Sequence, residues 1–333
     1  MDVENRPSEL VGMVTNLGRE PLTDNEGRLH RYSVSPAGRE DSTKFTEELI
    51  TFIDRLADPV VERGHRVLGC GISVSGHVDQ GVVRISYSAG WGGPKAEDAF
   101  PLEEQLVSLP FGVALDNDIT SLALHQNISG RPRESYAVVA VLPEGVGGGL
   151  VIHGGTWRGS QGMAGEIGHI TTRIGKRACH RCGKEGCVEA YATPYALLDQ
   201  AKPLGITDLE ELASRPSTEE SIVKLFRSGG RALGQGLEPL INWVNPASIY
   251  IYLPPSLSME NRFLAGHAYR EEVESEIQHS FSTGARTRLF YEVKSGAEMD
   301  ALGVRAAASL VLGRLIDHVE KQQDPKSLLR RPN

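Results

Sequence analysis

The sequence predicts an α/β protein, and three observations carry that expectation. Val67–Val74 (VLGCGISV) is a nearly continuous apolar run, the pattern of a parallel strand buried on both faces. Phe111–Leu115 (FGVAL) is a second such run and leads through Asp116-Asn117-Asp118 into the helical stretch ITSLALHQ. A third strand pair, AVVAVL from Ala137 and LVIHG from Leu150, brackets a glycine-rich segment and is followed by helical periodicity. Strands alternating with helices place a chain in the α/β class. At 333 residues it is long enough for two domains with sizeable cores.

Taken in order, Leu10–Thr15 (LVGMVT) reads as a strand, Asn16-Leu17-Gly18 as a turn, and Leu29–Val34 as a second strand. Phe45, Leu49, Ile53 and Leu56 make one helical face over Lys44–Leu56, which Asp58-Pro59 is expected to interrupt. Cys70 reads as plain core. Gly76-His77-Val78-Asp79 and Gly154-Gly155 read as turns, and His30, His65 and His77 as solvated loop histidines. Further helices fall at Asp208–Ser214, Glu219–Arg227 and Arg231–Val244, the last with Leu233, Leu237, Leu240, Ile241 and Val244 on one face. A late strand, Ser248–Leu253 (SIYIYL), and a long helix from about Met299 to Val319 follow. No linker is visible, so two closely packed domains with a cleft between them are expected.

Composition excludes several function classes. Forty per cent apolar and 23% charged residues describe an ordinary globular chain. A net charge of −8 argues against this chain gripping DNA by itself, because that needs a basic face. The basic end KSLLRRPN reads as a frayed terminus. The beginning, MDVENRPSEL, is polar and acidic without the apolar core of a signal peptide. No run reaches the roughly 18 apolar residues of a membrane span. A cytoplasmic protein is expected.

Chemistry concentrates between Gly165 and Glu189, GEIGHITTRIGKRACHRCGKEGCVE. Cys179, Cys182 and Cys187 lie downstream of His169. One imidazole and three thiolates form the donor set of a closed tetrahedral zinc site, with no open position for catalysis. Glu166 and Glu189 bracket this cluster and could hold a polar ligand beside it. Asp116-Asn117-Asp118 stands where a strand gives way to a helix, the ligand-binding edge of open α/β sheets. The same residues also suit a helix cap. Glu144-Gly145-Val146-Gly147-Gly148-Gly149 follows a strand and reads either as a phosphate-cradling loop or as a tight turn. Glu144 would sit close to any bound phosphate and repel it.

In this order the motifs resemble the ROK family of repressors, open reading frames and sugar kinases. GEIGH at Gly165–His169 and CGKEGCVE at Cys182–Glu189 carry the likeness most specifically. GISVSGHVD at Gly71–Asp79, the Asp116–Asp118 run and Val146–Glu166 support it, and the resemblance extends from about Leu10 to Val319. It implies a two-domain actin-like ATPase (ribonuclease H-like) fold. One subdomain would span 10–125 with about 300–322, the other 126–299 with the zinc loop, and residues 1–9 and 323–333 would be disordered. In the family's kinases the Asn-Asp pair binds sugar and supplies the base. Carried over, Asn117 would hydrogen-bond a hydroxyl and Asp118 would be the catalytic base of an active enzyme. Glu166, Glu189 and His169 would complete the sugar site. His169, Cys179, Cys182 and Cys187 would hold a structural zinc, with His180 as the alternative to Cys179, because two residues separate Cys179 from Cys182 where the family usually has one. A dimer or tetramer is also implied.

The departures from the family fall on the nucleotide side. Kinases of this class open with a strand ending in Asp-x-Gly-Gly-Thr, and no such loop precedes Leu10. In the loop of Gly145, Gly147 and Gly148, Glu144 replaces a small polar residue. Pro254-Pro255 follows the late strand where kinases have glycines, and prolines offer no amide donors. Phosphoryl transfer depends on positioning and on neutralising phosphate charge, and each change works against that. The expected function is therefore a sugar-sensing regulator with degenerate kinase motifs. The few residues ahead of Leu10 are too short for a helix-turn-helix. The alternative is an ATP- and magnesium-dependent sugar kinase of the glucokinase or N-acetylmannosamine kinase type. A zinc-stabilised interaction module that binds no sugar is a third reading.

Overall fold

The computed structural model describes residues 9–22, 29–35, 38, 41–86, 91–92, 99–130, 134–257, 265–278 and 287–320. The terminal segments expected to be disordered lie outside these residues, except Glu9, which opens the first strand. Internal contacts divide the chain into two units. Unit 1 comprises residues 1–131, 159–163 and 299–333, and unit 2 comprises 132–158 and 164–298.

Unit 1 begins with an antiparallel pair, β1 (Glu9–Gly12) and β2 (His30–Ser33). Helix α1 (Ser42–Glu62) starts at Asp41, whose carboxylate accepts from the amides of Thr43 and Lys44 at 2.7 and 3.3 Å. Its apolar face, Phe45, Leu49, Phe52 and Ile53, is buried. Pro59 does not interrupt this helix as the sequence suggested. It falls in the last turn, where a proline forfeits one hydrogen bond, and Val60 beyond it is buried. β3 (Cys70–Val74) pairs in parallel with β7 (Val113–Asn117), with Ile72 opposite Leu115. Between them β4 (Gly76–Asp79), β5 (Val82–Ser86) and β6 (Trp91–Gly92) form a separate antiparallel sheet, and α2 (Leu102–Gln105) follows. His77 was expected in a solvated turn. It lies instead on β4 and is buried, because β4 is paired along its length with β5. β7 leads into α3 (Asp118–Ile128).

Unit 2 is built on one mixed sheet. β8 (Tyr136–Val141) and β11 (Ser248–Leu253) run parallel at its centre, and all six residues of each are buried. β9 (Val146–Ile152) and β10 (Gly155–Trp157) extend it on one side and β12 (Arg288–Val293) on the other, in the order β10-β9-β8-β11-β12. The helices are α4 (Glu189–Ala192), α5 (Pro194–Ala201), α6 (Leu209–Ser214), α7 (Glu220–Val244) and α8 (His267–Gln278).

The sequence suggested two helices broken at Gly229-Gly230, but α7 is continuous. The glycines are the place where α8 crosses it. A Cβ on Gly230 would stand 2.0 Å from the carbonyl oxygen of Tyr269, a close approach that only glycine allows. Helix α9 (Gly296–Glu320) ends the described chain. No helix among the described residues is long and apolar enough to cross a membrane.

Candidate functional site

In unit 1 the β7–α3 junction is a helix cap, one of the two readings the sequence offered. Asn117 is the N-cap of α3, its side-chain oxygen accepting from the amides of Ile119 and Thr120 at 2.9 and 3.0 Å. Its side-chain amide donates to the Gly76 carbonyl at 2.9 Å, which fixes the group and leaves one N–H for a ligand. Asp118 occupies the first helical position, where the α3 dipole favours a negative charge. Asp116, one residue earlier, is buried and accepts from the Asn117 amide at 2.9 Å.

In unit 2 the chain between Thr171 and Cys187 closes into a small knot. The Cys179 amide donates to the Lys184 carbonyl, and the Gly183 amide returns to the Cys179 carbonyl. Gly183 and Gly186, at φ +70° and +83°, take the left-handed turns this path needs. The donor atoms of His169, Cys179, Cys182 and Cys187 all lie within 4.8 Å of one another. Cys182 Sγ stands 3.5 Å from Cys187 Sγ, and His169 Nδ1 stands 3.7 Å from Cys179 Sγ. A tetrahedron with Zn–S bonds of about 2.3 Å has edges of roughly 3.8 Å, so these four side chains fit a zinc ion.

The three thiols sit in different electrostatic surroundings. Burial and the neighbouring thiols push Cys187 up to about 12. Burial also raises Cys179. Cys182, though burial opposes it, is held below the ordinary thiol value by the Lys184 amide and by Cys187. A divalent cation bound here would displace the thiol protons, because it is the thiolate that ligates a metal. His180 is half exposed and belongs to a different grouping, with its Nε2 3.8 Å from Glu189 Oε1.

The second ring nitrogen of His169 faces Glu166, with Nε2 4.0 Å from Oε2. That carboxylate is partly exposed, so the pair offers polar groups to a ligand beside the knot. Glu189 is placed differently, almost fully buried at the start of α4. Arg181 Nε lies 3.2 Å from one of its oxygens, and the Val146 amide donates to the other at 3.3 Å. Burial pushes the Glu189 carboxyl up to about 7, against the pull of Arg181. Arg181 went unremarked in the sequence, where it reads as filler between two cysteines. Its sole clue is an uncompensated carboxylate eight positions on.

The glycine-rich segment divides between turn and strand. Glu144 and Gly145 form the β8–β9 turn, and Gly147, Gly148 and Gly149 lie within β9 opposite Ala140, Val139 and Val138. Gly148 is pressed backbone to backbone against Gly165, whose added Cβ would be 2.1 Å from the Gly148 carbonyl oxygen. Close packing thus accounts for Gly148 without a phosphate. After β11 the backbone enters a single turn at Pro255–Leu257, directly behind Pro254. Beside Glu166 lies an apolar hollow of ≈ 320 Å³ walled by Leu150, Ile170, Pro239 and Leu240, with Trp243 at its rim, 90% exposed.

Comparison with known proteins puts these features in context. The model of the ROK family matches residues 22–314. A putative xylose repressor of Caldicellulosiruptor sp. is 31% identical over 235 residues, 64% of this chain, and the match spans 56% of that repressor's length. Among solved structures, a ROK family transcriptional regulator described as a homologue of the E. coli MLC protein superposes with a TM-score of 0.71 at 21% identity. That superposition covers 93% of this chain and 79% of the regulator. A ROK hexokinase from Thermus thermophilus superposes at 0.65 with 26% identity, covering 92% of this chain and 99% of the hexokinase. The α/β fold of this chain is that of the ROK structures.

Proposed function

The chain belongs to the ROK family, and from that membership we propose that it is a sugar-sensing regulator that binds an aldose without phosphorylating it efficiently. One contrast within unit 2 carries this reading. His169 turns Nδ1 to the thiols and Nε2 toward Glu166, an arrangement suited to hydroxyl groups. The segments that would meet a nucleotide instead carry the Glu144 carboxylate and the paired prolines 254 and 255. Asn117 and Asp118 would bind further hydroxyls, and Glu189 would act through Arg181 and the knot. His169, Cys179, Cys182 and Cys187 would hold the zinc, which supplies a fixed centre with no free coordination position.

The sugar kinase reading keeps one specific support. Asn117 and Asp118 stand in the order a kinase needs, and a ROK hexokinase is among the matching structures. Sugar-dependent ADP release, measured over hexoses, amino sugars and pentoses including xylose, separates the two. We expect turnover far below the roughly 1–100 per second of kinases. Turnover at or above about one per second, lost in Asp118→Asn, would establish the kinase and remove the regulator.

Self-association is the second part of the proposal. Trp243 projects from the last turn of α7 beside Pro239 and Leu240, and a bare indole of this exposure is a common feature of interfaces. Trp243→Glu is expected to shift the sedimentation coefficient from oligomer to monomer. Unchanged sedimentation would show that this face is not the contact.

A further inference from the structure

Glu189 is only 3% exposed, and groups of unit 2 reach its two oxygens from opposite sides. Oε2 accepts from the Val146 amide at 3.3 Å. Val146 stands opposite Val141, and the neighbouring rung is closed by the Leu142 amide donating to the Gly145 carbonyl. Hydrogen-bonding directions alternate along a strand, so the Val146 amide points away from β8. On that side β10 pairs with β9 only from Leu150 to Ile152, too far along to meet it. Glu189 therefore stands where a ladder partner would, at the start of β9. The same oxygen lies 3.3 Å from where a Cβ on Gly168 would be, and that Cβ would meet the Val146 carbonyl oxygen at 2.4 Å. The turn Ile167–His169 thus rests on Glu189 and β9 together.

Oε1 faces the knot. Arg181 Nε lies 3.2 Å away, His180 Nε2 3.8 Å and Cys179 Sγ 3.9 Å. The guanidinium also lies along the β8–β9 turn, since a Cβ on Gly145 would be 3.7 Å from Nη2 and 3.8 Å from Nε. With the knot loaded, Cys179 would be a thiolate beside a carboxylate, and Arg181 is the counter-charge between them. A carboxylate suits this place because donors approach both of its oxygens, whereas an amide offers one oxygen and one NH₂.

We propose that Arg181 is a positioning residue, which holds Glu189 against the Val146 amide and so fixes the segment carrying Glu166 and His169 to the start of β9. The proposal rests on the regulator reading only in taking Glu166 and His169 as groups that meet the sugar. Arg181 itself does not ligate the metal, and its influence on the site passes through Glu189. Without the guanidinium, the carboxylate is left buried beside the thiolates and is expected to turn away from Val146, releasing that amide and the turn stacked on it.

The test is amide hydrogen exchange at Val146 in the full-length protein with zinc in excess, with metal content measured on every sample. Arg181→Met is expected to speed exchange by about tenfold or more while about one zinc per chain is retained. Glu189→Gln is expected to do likewise, because its single oxygen turns to Arg181 and its NH₂ meets the Val146 N–H. The double variant is expected to return to within about threefold of the unsubstituted protein, since the amide oxygen is then released to Val146. A residue that merely filled the knot would show no such rescue. Sugar affinity, followed by thermal shift, is expected to fall about tenfold in each single variant and to recover in the double. Unchanged Val146 exchange in Arg181→Met, additive losses in the double variant, or loss of zinc in Arg181→Met would each overturn the proposal. So would an unchanged sugar affinity in a variant whose Val146 amide has been released. The exchange cycle contains no sugar, so it decides the role of Arg181 even where the regulator reading fails.

Discussion

Dialysis against a strong chelator is expected to lower the unfolding midpoint by at least about 10 °C, and Cys187→Ser is expected to do the same without a chelator. Apparent binding energies for closed zinc sites in small domains are about 10–16 kcal/mol. Only part of that reaches the global stability here, because the knot can open while the sheet of unit 2 persists. A loss of about 5 kcal/mol already corresponds to roughly 10–20 °C in a unit of this size. Cys187 is the position of largest effect, since it is fully enclosed and its bridge to Thr171 ties the knot to the chain carrying His169. Metal content measured on the same samples decides the ligand set. His169→Ala and Cys179→Ala are expected to lose the ion, whereas His180→Ala retains about one zinc per chain. Cys70→Ser, in unit 1, is expected to leave metal content unchanged. A protein purified without metal that unfolds at the same temperature with and without added zinc would contradict the assignment.

Much of this was legible in the sequence, for identifiable reasons. The central strands β8 and β11 announce themselves because a strand buried on both faces has no polar positions to confuse the pattern. The thiol cluster is equally plain, since few other structures need three cysteines and a histidine within twenty residues. What stayed hidden depends on distant partners. Pro59 and Gly229-Gly230 read as breaks because local propensity favours breaking, and only the packing of Val60 and the crossing of α8 keep those helices whole. His77 looked solvated because nothing local showed that β5 would cover it. Conversely, β3 reads as fully buried on its own composition, yet all five of its residues are only partly buried. The glycines of β9 offered two readings. The contact that accounts for Gly148 involves Gly165, seventeen residues away.

That contact gives the second large prediction. Gly165→Ala is expected to destabilise the protein by roughly 2–5 kcal/mol and to weaken binding of whatever sugar the site takes. Two costs add. Gly165 has φ +97°, where an L side chain is strained by about 1–2 kcal/mol. Its Cβ would also fall 2.1 Å from a backbone oxygen of β9, and overpacking of that kind costs typically about 1–3 kcal/mol. Because a strand held in a five-stranded sheet moves less readily than the segment beside it, the displacement should pass into Glu166 and the turn at Ile167–His169. Gly154→Ala supplies the comparison. Gly154 has φ +81° but nothing within 4 Å of an added Cβ, so it carries the backbone strain alone and should cost about 1–2 kcal/mol. Denaturant unfolding of both variants, with a thermal-shift titration of sugar, separates conformational strain from steric contact. Equal destabilisation by the two substitutions, with sugar response intact in both, would mean that the Gly148–Gly165 approach neither limits the fold nor positions the carboxylate and imidazole that follow it.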